Sequence, residues 1–261
     1  MQSGVRLASF SSYSGRSVFV LWVNFITKGK FFHHFQPIFN LENRTIEGFE
    51  ALFRSPLFST VEEAYQLAKK KRRLYELDVH SVQKAVRTFA ESGQKDKGKK
   101  LFLNIYPSTL LHAGLVSVIK DLIGTYPFLA GQLVFEMVEN ERIDDLSGLQ
   151  DVLKLIRQAG IRIAVDDFGK GSDNMNRTID IDADYIKLDR YFSINLRTSE
   201  KKQAYVAFLI RFCEKFHTKL IFEGLETAKD IHYIREMGIH YAQGYALGRP
   251  HLLGKAVRGH A

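Results

Sequence analysis

Apolar stretches in this chain are short, rich in β-branched and aromatic residues, and repeatedly end in an acid or an amide. Leu101-Phe102-Leu103 runs into Asn104, Leu133-Val134-Phe135 into Glu136, and Ile163-Ala164-Val165 into Asp166-Asp167. Tyr185-Ile186 runs into Lys187-Leu188-Asp189, and Leu220-Ile221-Phe222 into Glu223. Runs of this kind with little alternation predict strands buried on both faces, as in a parallel sheet covered by helices. Strands are expected near 31–40, 46–54, 101–105, 132–138, 161–166, 183–188, 218–223 and 241–246, the first two as a hairpin. Helical periodicity fills 61–92, 107–123, 144–159, 199–216 and 227–238. Gly160 and Gly238 stand where a helix C-cap glycine would precede a strand.

Eight strands mostly separated by helices predict an α/β fold. The expected architecture is a single (β/α)8 TIM-like barrel with a reversed first strand; an open doubly wound sheet is the alternative. The chain has no GxGxxG or P-loop sequence, which counts against the open-sheet nucleotide folds. The barrel is expected over residues 31–255, with 1–30 as an N-terminal extension or linker and 256–261 as a tail.

Composition narrows the function. Of 261 residues 45% are hydrophobic, enough for a sizeable core, and the lone Cys213 excludes an internal disulfide or a cysteine zinc site. That cysteine usage suits the cytoplasm. The net charge of +8 favours an anionic partner. Neither basic run, Lys69 to Arg73 nor Lys95 to Lys100, has the interleaved aromatics of a nucleic-acid polymer binder. Lys69 to Arg73 reads as the wet face of a helix. No apolar run reaches the roughly 18–20 residues of a membrane span.

In a barrel of parallel strands the C-terminal strand ends converge on one rim, where chemistry sits. Glu50, Asn104, Glu136, Asp166, Asp167, Asp189 and Glu223 would then share one mouth. Carboxylates so placed repel one another unless something positive is shared among them. Oxygen-only ligands, without His or Cys, point to Mg2+ or Mn2+, and the adjacent Asp166-Asp167 pair could serve two ions. Two neighbouring ions form the usual clamp for in-line attack on a phosphodiester. His33 and His34 read as structural or pocket-edge residues.

On its motifs the chain resembles the EAL-domain phosphodiesterases of bacteria, which hydrolyse cyclic di-GMP. The signature is Glu50-Ala51-Leu52, within Gly48 to Arg54. Around it stand Gln36-Pro37-Ile38, Asn104-Ile105-Tyr106-Pro107, Glu136-Met137-Val138-Glu139, Asp166-Asp167-Phe168-Gly169, Lys187-Leu188-Asp189, Glu223-Gly224-Leu225-Glu226 and Gln243-Gly244-Tyr245. They occur in the family's order over nearly the whole chain. The resemblance implies one metal on Glu50, Asn104, Glu136 and Asp166, and a second on Asp166, Asp167 and Glu223. It implies Lys187 beside the attacking water, Glu223 as general base, and Glu226, Asp189 and Glu139 in support. Gln36, Arg54, Leu52 and Gln243 match substrate-facing positions; Arg54 offers a planar fork suited to phosphate. Opening of cyclic di-GMP to linear pGpG by a homodimer is the implied activity.

Two departures from the family pattern stand out. The loop after the acid pair reads Lys170-Gly171-Ser172-Asp173-Asn174-Met175, with Ser172 to Asn174 replacing an aromatic and two small residues, and Tyr106 replaces a common serine. In this family that loop positions the acids and joins the dimer interface. The competing expectation is therefore a domain that turns over weakly or not at all and serves as a cyclic di-GMP receptor or protein-interaction module.

Overall fold

The structure, a computed structural model, describes residues 25–26, 29–138, 141, 145–169 and 179–254. Eight strands close a barrel in sequence order: β1 (Phe32–Asn40), β2 (Thr45–Arg54), β3 (Lys100–Ile105), β4 (Leu133–Met137), β5 (Arg162–Phe168), β6 (Tyr185–Leu188), β7 (Lys219–Phe222) and β8 (Tyr241–Ala242). β1 runs antiparallel to both neighbours, and every other pairing is parallel. The reversed first strand and the closed barrel are as expected; the open sheet is not formed.

Side chains on a strand alternate between faces, and here both faces are buried. Outward residues such as Leu101, Leu103 and Ile105 pack with the helices in the largest core cluster. Inward residues Ile38, Phe102, Val134, Ala164, Tyr185 and Ile221 fill the barrel as a separate plug, with Tyr241 against it. β2 supplies Gly48 at this level. A Cβ there would stand 2.6 Å from the Lys100 carbonyl oxygen, so glycine permits the close approach of β2 to β3.

The helical layer is more broken than periodicity predicts. The expected 61–92 helix is two, α1 (Val61–Lys70) and α2 (Leu74–Glu91). The chain turns between them at Arg72, whose φ is +57°. The basic run is therefore not one wet helix face: its second half is the turn itself. The expected 107–123 helix likewise divides into α3 (Pro107–Leu110) and α4 (Leu115–Thr125), with Gly114 before the second. Among the described residues a short distorted α5 (Leu129–Gln132), then α6 (Leu146–Gln158), α7 (Glu200–Lys215) and α8 (Ala228–Glu236) follow in the layer. β8 ends at Ala242, four residues short of expectation.

Phe25 and Ile26, inside the stretch read as an extension, are fully buried against Phe31, Phe53 and Tyr65. Two apolar side chains covering the outer face of the β1–β2 hairpin draw that part of the chain onto the domain. Among the described residues no helix is long and apolar enough to cross a membrane.

Candidate active site

One pleat beyond the plug, each of the eight strands directs a polar side chain toward the barrel mouth. These are Gln36, Glu50, Asn104, Glu136, Asp166, Lys187, Glu223 and Gln243, each two positions from the plug-level residue of its strand. The two-residue period that buries Phe102 and Val134 therefore also sets Asn104 and Glu136 side by side, as register partners. Eight scattered motifs become one ring by strand geometry alone.

Lys187 is the hub. It is 1% exposed, and its Nζ lies 3.2 Å from Glu50, 3.0 Å from Glu136, 3.1 Å from Asp166 and 2.9 Å from Glu223. Burial opposes its charge, but Asp166, Glu136, Glu223 and Glu50 together hold its pKa well above the ordinary lysine value. One ammonium cannot satisfy four carboxylates. Burial and the neighbouring Glu50 push Glu136 well above the carboxylate range. Glu223 is pushed up to about 8, by burial first and then by Asp166 and Glu50 against the pull of Lys187. Glu50 goes the other way: burial would raise it, but Lys187 and hydrogen bonds from Gln243 and Asn104 bring it below the ordinary value. Gln243 Nε2 donates to Glu50 at 2.8 Å.

The donor set fits divalent cations. Single oxygens of Glu50, Glu136 and Asp166 lie within 4.8 Å of one another, as do those of Asp166, Asp167 and Glu223. Asp166 belongs to both groups. Buried Glu136 Oε1 and Asp166 Oδ1 face Lys187 yet make no aligned hydrogen bond, leaving lone pairs for a further cation. Asn104 sends its amide Nδ2 toward Glu50 and Glu136 at 3.3 and 3.4 Å, both long contacts. An amide flip would present its oxygen to an ion instead. The hard, all-oxygen set is the one Mg2+ or Mn2+ prefers.

Local backbone aims the acid pair. β5 loses register with β6 between Val165 and Phe168, Asp167 has φ +52°, and Gly169 has φ +96°. This bulge lets Asp166 and Asp167 both reach the mouth, where a regular strand would turn one of them outward. Asp167 lines both cavities that flank the acids.

Those cavities measure about 360 and 310 Å3. The first holds Leu52 and Arg54 together with Tyr106, and the second holds Gln36, Asp189, Glu226 and Gln243. The remaining sequence-predicted residues differ in what they do there. Arg54 donates to the neighbouring Phe53 carbonyl at 2.7 Å and, among the described residues, shows no ion pair with a rim acid. Gln36 donates to the Gly248 carbonyl. Asp189 caps a turn by accepting from Tyr191 N at 2.8 Å. Glu226 is exposed on the rim, 3.8 Å from Arg190, and is not brought into the acid ring. Glu139 and the loop from Lys170 to Met175 lie outside the described residues.

The sequence did not draw attention to a polar group behind the first cavity. Asp78, on α2, is fully buried and accepts from Tyr106 N at 3.0 Å. Burial pushes it up to about 7 against the pull of its hydrogen bonds. Beside it His33 Nε2 pairs with Ser81 Oγ at 2.9 Å. An acid on the apolar face of a helix pattern was the available signal for Asp78; His33 is the pocket-edge residue expected.

Burial lowers His33 to about 3, with Lys84 and Arg54 adding to the effect. The unfolded chain therefore takes up a proton near pH 6.5 that the folded chain refuses, so this group's contribution is intact above that pH and is lost as pH falls toward 3. From pH 7 to 5 it should cost about 2 kcal/mol. Asp78, with a raised value, shifts stability in the opposite sense over that range. Urea unfolding of wild type and His33→Leu at the two pH values isolates the His33 share: the variant should lose less stability on acidification, and equal losses would contradict the assignment.

The sequence model of the EAL domain matches residues 22–250. A cyclic di-GMP phosphodiesterase of Pseudomonas aeruginosa is 29% identical over 222 residues, covering 84% of this chain and 38% of that protein. The probable cyclic di-GMP phosphodiesterase PdeB of Escherichia coli is 26% identical over 216 residues, covering 81% and 41%. The chain thus spans about two fifths of the length of these relatives. Among solved structures, Klebsiella pneumoniae BlrP1 in complex with manganese and cyclic di-GMP superposes with a TM-score of 0.76 at 30% identity, over 87% of this chain and 57% of that one. The calcium and cyclic di-GMP complex of BlrP1 gives 0.75 at 26%, over 97% and 69%.

Proposed function

This chain belongs to the EAL domain family, and on that premise we propose that it hydrolyses cyclic di-GMP to linear pGpG with two divalent cations, Mg2+ or Mn2+. The observation that carries the reading is the pair of overlapping carboxylate groups, one of Glu50, Glu136 and Asp166 and one of Asp166, Asp167 and Glu223, at the mouth of one barrel.

Asn104 would complete the first group by turning its amide oxygen inward. Two bound ions would supply Lewis-acid polarisation of the phosphoryl group and neutralise charge on the leaving 3′ oxygen. The protein's share is positioning and proton transfer. Lys187, held charged by its four acids, would favour a hydroxide-like nucleophile. Glu223, at the mouth beside Asp166 and Asp167, would accept the proton of the attacking water, a role that needs a carboxylate within hydrogen-bond reach of it. Arg54 and Gln36 would hold the dinucleotide across the two cavities, with Leu52 and Gln243 lining the path. Asp189 and Glu226, which line the second cavity, would act in support, and Glu139 is assigned a supporting role with them. Work as a homodimer on a cytoplasmic nucleotide belongs to the same reading.

A turnover assay tests it. Purified protein with cyclic di-GMP and Mn2+ should yield pGpG, and Glu50→Ala or Glu223→Ala should abolish the product. The altered loop sequence Ser172-Asp173-Asn174 favours a second reading, binding without turnover. Tight binding with no product in any divalent ion would select that one.

Calcium gives a separate expectation. BlrP1 has been captured with calcium and its ligand. In this chain Ca2+ should compete for the carboxylates yet fail to sustain hydrolysis, because it takes more ligands at looser geometry. Adding Ca2+ to the Mn2+ assay should lower the rate in proportion to its occupancy. Full activity in Ca2+ alone would contradict the two-ion clamp.

A further inference from the structure

Phe192 belongs to neither the plug nor the acid ring, yet it packs directly under the loop that aims the acid pair. The ring is buried and presses its edge on Gly169: a Cβ at that glycine would sit 2.9 Å from the Phe192 Cζ and closer still to Cε2. Gly169 is three residues after Asp166 and two after Asp167, on the far side of the β5 bulge. Any side chain at 169 would push either the ring or the acid loop aside.

The ring itself is held from behind and from both ends of its turn. Its outer face stacks on Tyr205 of α7, centroids 5.1 Å apart and planes 11° from parallel. Phe192 N donates to the Asp189 carbonyl at 3.0 Å, and Tyr191 N donates to the Asp189 carboxylate. Lys202 of α7 donates to the carbonyls of Tyr191 and Ile194, tying the turn to the helix. Asp189 N in turn donates to the Phe168 carbonyl at 3.2 Å. The residues on either side of the acid pair's exit are thus clamped to β6 and α7 through a single aromatic wedge.

We propose that Phe192 is a positioning residue for the second ion site: it fixes the Gly169 turn and thereby the direction of Asp167 relative to Asp166 and Glu223. Around the first site only Asp166 comes from β5, while Glu50, Asn104 and Glu136 come from β2, β3 and β4; around the second, Asp166 and Asp167 both come from β5, Asp167 nearer to Gly169. The two ion sites should therefore respond differently to loss of the wedge. This inference rests on the two-ion reading above.

Calorimetric titration with Mn2+, together with electron paramagnetic resonance of the loaded protein, tests it. Wild type should bind two ions and show the signature of spin-coupled neighbouring Mn2+. In Phe192→Leu one ion should bind as in wild type, while the other weakens by at least about tenfold, with the coupled signal replaced by that of an isolated ion. Tyr205→Leu, which removes only the ring behind the wedge, should move the same way by less, and it decides the matter if Phe192→Leu does not fold. Two ions bound with wild-type affinity in the folded variants, or equal weakening of both, would overturn the role of Phe192. A wild-type protein that binds no pair of ions would instead overturn the reading on which it rests.

Discussion

Lys187→Met should be the most damaging substitution in the barrel, for stability as much as for turnover. The ammonium is the shared counter-charge of Glu50, Glu136, Asp166 and Glu223, all within 3.2 Å of it. Removing one partner of a buried ionic group typically costs about 3–5 kcal/mol, because the remaining charges are left uncompensated. In a domain of this size that corresponds to a fall in melting temperature of roughly 10 °C. The pH dependence gives the signature. Without Lys187 the acids take up protons on folding, so the variant should be less defective at pH 5 than at pH 8, its stability falling as pH rises. Mn2+ should restore more melting temperature to the variant than to wild type, since the ions then supply the missing positive charge. Hydrolysis should fall by about 10²–10³-fold, the usual loss for one preorganised electrostatic group. A variant that melts like wild type at pH 8 would show that Lys187 does not neutralise the cup.

Asp166→Asn should come next, and here the loss is catalytic. Asp166 is the one side chain common to both carboxylate groups. Its loss removes a ligand from each, so hydrolysis should drop by at least about 10³-fold, the several kcal/mol that ions contribute to phosphoryl transfer. Stability should change little, because Lys187 keeps three acids. Asp167→Asn, which touches only one group, should be milder and partly recoverable at high Mn2+. Equal losses in the two variants, with equal recovery by metal, would show that Asp166 bridges nothing.

The cluster of acids was legible in the sequence because strand ends carry its side chains. Glu136 and Asn104 follow β-rich runs, and a barrel puts such ends in one mouth whatever lies between them. The fold was legible for the same reason: the runs are too short for helices and too apolar for a half-exposed sheet. Geometry beyond that order was not. Nothing in the spacing says that Lys187 reaches four acids at once, since that follows from closure of the barrel around β6. Helix breaks escaped notice because periodicity continues through them: Leu67, Leu74 and Leu77 keep an apolar spacing although Arg72 leaves the helix between them. Asp78 escaped because a single acid on the apolar face, four residues from both Leu74 and Val82, does not interrupt the helical periodicity. The Phe192 wedge depends on the absence of a Cβ at Gly169, a contact that only coordinates reveal.

The central claim is that two cations sit side by side above the plug. An anomalous difference map from a crystal soaked in Mn2+ tests it directly. Two peaks roughly 3.5–4 Å apart are expected. One should be bounded by Glu50, Asn104, Glu136 and Asp166, and the other by Asp166, Asp167 and Glu223. A single peak, or peaks away from Asp166, would contradict it.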